Sequence, residues 1–246
     1  MENSPLVSCI IPIVPNDPHV YECIKAIEES SHKNVEIIVV DEGLERSQQR
    51  NIGIKKAKGE FLIWIDSDMR LSGGLLEDCI KKIEGHVAVY IPETIITEGW
   101  FGYLRNWERQ FYNGSLVDVV RFIRTKDCPL FDEDLHGVED SDWERQILKK
   151  IPNAKFNTSV YCFYHHDQVG LVKYLKKKAY YARCLNQYRA KNPDDKLLTF
   201  KYRCVQVFIE NGKWKRLLKA PHLAVCSALL LFARGLIFIY ASHRYK

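Results

Sequence analysis

The chain has 246 residues, 46% hydrophobic and 27% charged, with a formal net charge of +5. That is enough for one sizeable core, too little for two large domains, and it excludes an intrinsically disordered chain. Its eight cysteines are scattered without a Cys-x-x-Cys pair, which argues against a zinc ribbon or a redox motif, and the opening Met-Glu-Asn-Ser-Pro lacks the regions of a signal peptide, so none is expected.

Residues 7–14 form an apolar run that reads as a buried strand, with Pro12 near its end and the loop Pro15-Asn-Asp-Pro18 after it. Residues 19–31 carry a helical period, and Val35 to Val40 is a second strand ending in Asp41. Arg46 to Ala57 predicts a helix, closed by Lys58-Gly59. The run Phe61 to Ile65 then stops abruptly at Asp66-Ser67-Asp68. Strand, helix, strand, helix, strand at this spacing means a parallel sheet with right-handed crossovers. Ligands of such sheets bind outside the carboxyl ends of the strands, where Pro12, Asp41, Asp66 and Asp68 all fall.

Two carboxylates this close are too costly to bury unpaired. The usual relief is a hard divalent cation, Mg2+ or Mn2+, whose shell is completed by water and substrate phosphates. The alternative is a solvated turn capping the next helix. No Gly-x-Gly-x-x-Gly or Gly-x-x-x-x-Gly-Lys follows the first strand, so the glycine loops of dinucleotide and P-loop sites are missing.

Beyond this point, residues 75–83 predict a helix, 87–92 a short strand, and 100–111 an aromatic-rich amphipathic helix. Residues 116–124 read as a strand with Arg121 and Arg124 pointing away from the core. The acidic stretch 131–143 reads as a loop leading into a helix from Trp143 to Lys150. Within it Glu139 and Asp140 adjoin apolar Val138 and Trp143, where partial desolvation would suit a general base. Residues 156–164 predict a last strand, ending in the metal-ligand candidates His165 and His166. Residues 169–188 form a helix with a basic face, and Lys213, Lys215, Arg216 and Lys219 continue that charge. From Leu223 to Ala241 the chain is apolar apart from Ser227, Arg234 and Gly235, barely enough to span a bilayer and with an arginine near its middle. A helix lying in or tilted at an anionic lipid interface fits this pattern; a helix packed on the domain is the alternative.

With these residues placed, the chain resembles the family 2 glycosyltransferases. The segments are Val7-Ser-Cys-Ile-Ile-Pro12, Glu36-Ile-Ile-Val-Val-Asp41, Arg50 to Gly59 followed by Asp66-Ser-Asp68, Gly137-Val-Glu-Asp-Ser-Asp142, and His165 ahead of Lys178-Ala-Tyr-Tyr-Ala-Arg183, in the family's order over residues 6–190. The resemblance implies an α/β chain of the GT-A fold, a mostly parallel central sheet flanked by helices, with C-terminal membrane-associated helices. A catalytic domain over 1–195 and basic and apolar helices over 196–246 are expected.

The resemblance further implies an inverting, metal-dependent transfer from a UDP- or GDP-linked sugar to a lipid-linked glycan or polyprenyl phosphate. It sets the protein at the cytoplasmic face of the membrane, peripheral or held by one helix, with no nucleic-acid partner. Pro12, Asp41, Arg50, Asp66 and Asp68 would contact the donor. Asp68, Asp66, His165 and His166 would hold Mn2+ or Mg2+. Asp140 or Glu139 would be the base, and Trp143 and Asp142 would face the acceptor. Glu42-Gly43-Leu44 departs from the family's usual acidic pattern, which leaves uracil and guanine both open. A membrane-bound sugar-nucleotide binder without activity, or a transferase with a soluble saccharide or protein acceptor, are the competing readings.

Overall fold

The computed structural model describes residues 4–166 and 170–244. It opens with β1 (Val7–Pro12), α1 (Val20–Glu28), β2 (Val35–Val40), α2 (Arg46–Lys56) and β3 (Phe61–Trp64). β1 and β3 are buried throughout, as their unbroken apolar runs require of strands covered on both faces. β1 pairs in parallel with both β2 and β3, so the three carboxyl ends lie side by side. α2 lies close against β1 because residue 53 is glycine; a Cβ there would collide with Ile10.

The chain continues through β4 (Met69–Leu71), α3 (Leu75–Lys82), β5 (Ala88–Tyr90), β6 (Glu93–Ile96), α4 (Gly99–Tyr112), β7 (Val120–Arg124) and α5 (Glu139–Lys150). After these come β8 (Phe156–Thr158), β9 (Phe163–His166), α6 (Leu171–Tyr181) and α7 (Leu185–Lys191). The one-turn α8 (Val207–Ile209), α9 (Trp214–Lys219) and α10 (Pro221–Arg244) complete the described chain. The main sheet has the order β2-β1-β3-β7-β5-β8, and β7 pairs antiparallel with both its neighbours. A second sheet, β4-β9-β6, joins strands from three distant parts of the chain. The predicted strand over 156–164 is therefore two strands, β8 in the first sheet and β9 in the second.

One core cluster lies on the α1 and α3 side of the main sheet (Cys23, Ile27, Leu75, Leu76, Cys79). Another fills the opposite side, where Trp64, Phe131 and Trp143 pack together; Trp64 meets Trp143 edge-on at 4.4 Å and Phe131 stacks on Trp143 at 5.3 Å. Edge-to-face and offset rings add attraction beyond their burial, and this trio seats the first turns of α5 against the end of β3.

α10 carries two stripes. Leu223, Ser227, Leu230 and Arg234 are buried, with Leu223 and Leu230 in a cluster with Leu104 of α4 and Tyr174 of α6. Val225, Leu229, Phe232 and Leu236 are exposed. Arg234 is not spent on solvent or lipid: it donates to Tyr174 Oη at 2.9 Å and forms an ion pair with buried Glu108. Pro221–Tyr240 is long and apolar enough to cross a membrane by length and composition, yet one of its faces is packed on the domain. Residues 197–208 likewise share a core cluster with Phe111 and Tyr112 of α4.

Candidate active site

The strand ends converge as the sequence predicts, but the charges around them are paired in a way that the sequence hides. The main chain turns at Asp66, whose carbonyl accepts the Met69 amide at 2.9 Å, and this turn launches β4. The Asp66 side chain points back over the sheet and its two oxygens take different arginines, Arg50 Nη2 at 3.2 Å and Arg121 Nη2 at 3.4 Å. Burial would push this carboxyl up, but the guanidiniums of Arg121 and Arg50 hold it far below the usual carboxylate range. Asp68 stands at the rim, with 37% of its side chain exposed, and its Oδ2 lies 3.2 Å from His165 Nε2.

His165 is brought there by the second sheet, in which it pairs with Met69 on β4 and Ile95 on β6. Behind it stands Glu93, whose carboxylate is 3.8 Å from His165 Nδ1 and is held by Arg121 Nη2 at 3.0 Å and Arg109 Nε at 3.1 Å. Burial disfavours the imidazolium, but the hydrogen bonds it donates to the Asp68 and Glu93 carboxylates, and their charges, outweigh this and raise His165 to about 10. His166, the next residue on the strand, points to the opposite face and is exposed, so it does not join the pair with His165.

Arg50 links this rim to α5. Its buried guanidinium reaches Asp140 Oδ1 at 2.5 Å and lies 5.1 Å over the Phe131 ring. Glu139, one residue earlier, is 3.0 Å from Arg46 Nη2 and 3.9 Å from Arg50 Nη1. Burial and the Asp140 charge raise the Glu139 carboxyl above its ordinary value despite the two arginines. Side-chain exposure separates the two acids: 22% for Asp140 against 3% for Glu139. Asp140 is thus the more open of the two acids. Asp68, His165, Glu93, Arg121, Asp66, Arg50 and Asp140 thus form one continuous array of charge-assisted contacts.

Several expectations need correction. Glu139 and Asp140 lie in the first turn of α5, not in a loop, because α5 begins four residues earlier than predicted. Arg50 is enclosed, and its guanidinium is engaged by Asp66 and Asp140 rather than left open to a nucleotide. Asp142 is buried against Lys191, Asn192 and Gln146, and Trp143 fills the aromatic core and donates to the Pro129 carbonyl at 2.8 Å, so neither presents a surface to an acceptor. Arg121 points into the site, not away from the core. Asp41 is exposed just past β2, and Pro12 is buried at the end of β1. Glu93, Arg109, Arg121 and Arg46 were not foreseen as site residues; the signal was a Glu directly after the apolar run ending at Pro92, and an Arg inside one.

Gly137 sets the approach to α5. Its φ is +79°, a left-handed conformation that favours glycine, and a Cβ there would run into the Tyr181 ring. Gly137→Ala should therefore lower stability by roughly 1–3 kcal/mol, measured by urea unfolding, and displace Asp140. An unchanged midpoint would mean that the turn tolerates the side chain.

A pocket of about 250 Å3 opens beside Glu139, lined among others by Arg46, His136, Lys177 and Tyr181. Among the described residues no cluster of three or more His, Cys, Asp or Glu side chains forms an ion cage. The Asp68–His165 pair is what remains, one hard carboxylate oxygen and one imidazole nitrogen at the rim. A divalent cation bound here would displace the His165 proton; the carboxylate oxygen suits Mn2+ or Mg2+ and the freed imidazole nitrogen Mn2+, and Glu93 stands where a group orienting a ligating histidine belongs.

The model of the family Glycosyl transferase family 2 matches residues 42–177, more than half of the chain, and includes Asp66, Asp68, Asp140 and His165. The chain is similar to the GalNAc(5)-diNAcBac-PP-undecaprenol beta-1,3-glucosyltransferase of Campylobacter jejuni, 24% identical over 72% of this chain and 62% of that one. It is similar also to glycosyltransferase GlyG of Streptococcus pneumoniae, 25% identical over 33% of this chain and 36% of that one. The chain thus spans between about a third and two thirds of these relatives' length. Among solved structures it superposes on mannosyltransferase PcManGT from Pyrobaculum calidifontis in complex with GDP-Man and Mn2+, with a TM-score of 0.60 and 16% identity over 99% of this chain and 88% of that one. The likeness extends to the whole fold, which is the GT-A fold expected from the sequence.

Proposed function

Because the chain belongs to glycosyl transferase family 2, we propose that it is an inverting, metal-dependent glycosyltransferase that moves a sugar from a UDP- or GDP-linked donor to a lipid-linked acceptor. The observation that carries this reading is the single array that ties the Asp68–His165 pair to Asp140 through Glu93, Arg121, Asp66 and Arg50. It joins a group suited to a diphosphate and a group suited to a proton in one rigid frame. The PcManGT complex with GDP-Man and Mn2+ and the undecaprenol-linked substrate named for the Campylobacter relative support the donor and acceptor classes.

Asp68 and His165 would hold the metal. Bound there, Mn2+ or Mg2+ neutralises charge on the leaving diphosphate. Asp66, locked by two arginines, fixes the turn that presents Asp68. Asp41, exposed just past β2, would accept a hydrogen bond from the base. Asp140, held by Arg50, removes the acceptor hydroxyl proton as that oxygen attacks the anomeric carbon on the face opposite the diphosphate. The acceptor would be met at an anionic membrane surface, on the cytoplasmic face. The exposed stripe of α10 and the basic residues Lys213, Lys215, Arg216 and Lys219 support that placement.

Asp68→Ala should abolish the Mn2+-dependent part of nucleoside diphosphate binding while the thermal melt stays near that of the parent, since the side chain is exposed. Calorimetric titration of GDP and UDP with Mn2+ and with EDTA reads this directly. Equal affinity in the parent and the variant would remove the metal role and the reading built on it.

A further inference from the structure

A second charged cluster lies outside this array, where α4, α6 and α10 meet. Its centre is Tyr174. The Arg105 guanidinium lies 4.5 Å from the ring centroid and Lys178 Nζ 5.4 Å from it, while Arg234 donates to the hydroxyl at 2.9 Å. Glu108 pairs with Arg105 and Arg234 and accepts from Tyr112 Oη at 2.9 Å. Arg203 is near enough to Arg234 and Lys178 for their charges to repel. Among the described residues Glu108 pairs with Arg105 and Arg234, while neither Lys178 nor Arg203 forms a salt bridge. Burial, followed by Arg105, Arg234 and Arg203, pulls the Lys178 ammonium down to about 7.

Positive charge gathered at a partly buried place without compensation is costly unless an anion arrives. Two neighbours say what kind of anion the place suits. On one side α10 exposes the apolar stripe Val225, Leu229, Phe232 and Leu236. On the other, Lys178 Nζ and Arg46 Cζ both lie 5.7 Å from the Tyr181 ring, which lines the pocket beside Glu139. The cluster thus stands between an apolar helix and the pocket next to the proposed base.

We propose that Arg105 and Lys178, set around Tyr174, together with Arg203 close to Lys178, bind the phosphate or diphosphate group of the acceptor, with its apolar chain along α10 and its sugar end toward Asp140. This rests on the lipid-linked acceptor proposed above and adds to it a site distinct from Asp68 and His165. Arg234 spends Nη1 on Tyr174 Oη and Nη2 on Glu108 and so fixes the cluster, whereas Arg105 meets Glu108 through Nη1.

The test uses the full chain with EDTA present, so that the metal-dependent site is silent. Inorganic pyrophosphate should bind the parent in calorimetry, and the double variant Lys178→Gln, Arg203→Gln should bind about tenfold more weakly or worse, the equivalent of losing one charge-assisted contact. The variant should melt no lower than the parent and keep its Mn2+-dependent binding of GDP or UDP. Flotation with phosphatidylcholine vesicles carrying phosphatidic acid, against phosphatidylserine vesicles of matched charge, separates the sources. A preference for phosphatidic acid that the variant loses supports a lipid headgroup. Loss of pyrophosphate binding with no vesicle preference supports a free phosphorylated ligand. No pyrophosphate binding by the parent, or equal binding by parent and variant, overturns the proposal. Asp68→Ala should bind pyrophosphate in EDTA as the parent does, so a failure of the metal reading leaves this result standing, and the reverse holds too.

Discussion

Asp140→Asn should lower sugar transfer by about 10²–10⁴-fold, the usual worth of a positioned general base, while donor affinity holds. Asparagine keeps the shape and still accepts a hydrogen bond from Arg50 Nη1, now 2.5 Å from Asp140 Oδ1, so the array should stay closed. What is lost is the oxygen able to take a proton. Glu139 cannot substitute readily: its side chain is buried and Arg46 and Arg50 occupy one oxygen. The measurement is single-turnover transfer beside calorimetric donor binding. Near-normal turnover would assign the proton elsewhere, and an inactive parent with intact binding would favour the sugar-nucleotide binder over the enzyme.

Arg50→Met should cost about 3–5 kcal/mol of folding stability, the penalty of breaking a buried ion pair on one side. Arg50 is buried, and its removal leaves Asp66 with only Arg121, Asp140 with no arginine, and Glu139 with only Arg46. Arg50→Lys should recover part of this, because one ammonium keeps the charge but cannot bridge two carboxylates in the planar fork that guanidinium provides. Urea unfolding of the three proteins gives the order. A loss below about 1 kcal/mol for methionine would mean that the acids are solvated well enough to stand alone, as at a surface pair.

The parts legible in the sequence were those with a long local signature. Phe61 to Ile65 stops at Asp66 because the strand leaves the core there, and that change of polarity marks the site. The β1–β3 order follows from three apolar runs at even spacing, which parallel pairing requires. The second sheet was not legible, since β4 has three residues and β6 and β9 four each, too short for a period to appear. Arg121 was misread because period-2 alternation normally sends a charge to solvent; β7 lies inside the main sheet, and the face that receives Arg121 is lined by Asp66 and Glu93. The start of α5 was missed because Glu139 and Asp140 look like the acids that precede a helix, whereas Gly137 ends the loop sooner.

Arg234 bears on how the chain is made as well as on how it is held. As it leaves the ribosome, Pro221–Tyr240 is a segment that membrane-insertion machinery would weigh for entry. Leu, Ile, Phe and Val each favour entry by about 0.3–0.6 kcal/mol, and one central arginine opposes it by about 2.5–3.5 kcal/mol. Glu108 lies 126 residues earlier and has been synthesised already when Arg234 appears. In the folded chain that carboxylate, on α4, is the partner that spares the cation the cost of lipid. The arginine therefore offsets much of the pull of the ten Leu, Ile, Phe and Val residues without reversing it outright, and its pairing with Glu108 is what favours a tail folded onto its own domain with one apolar face left over.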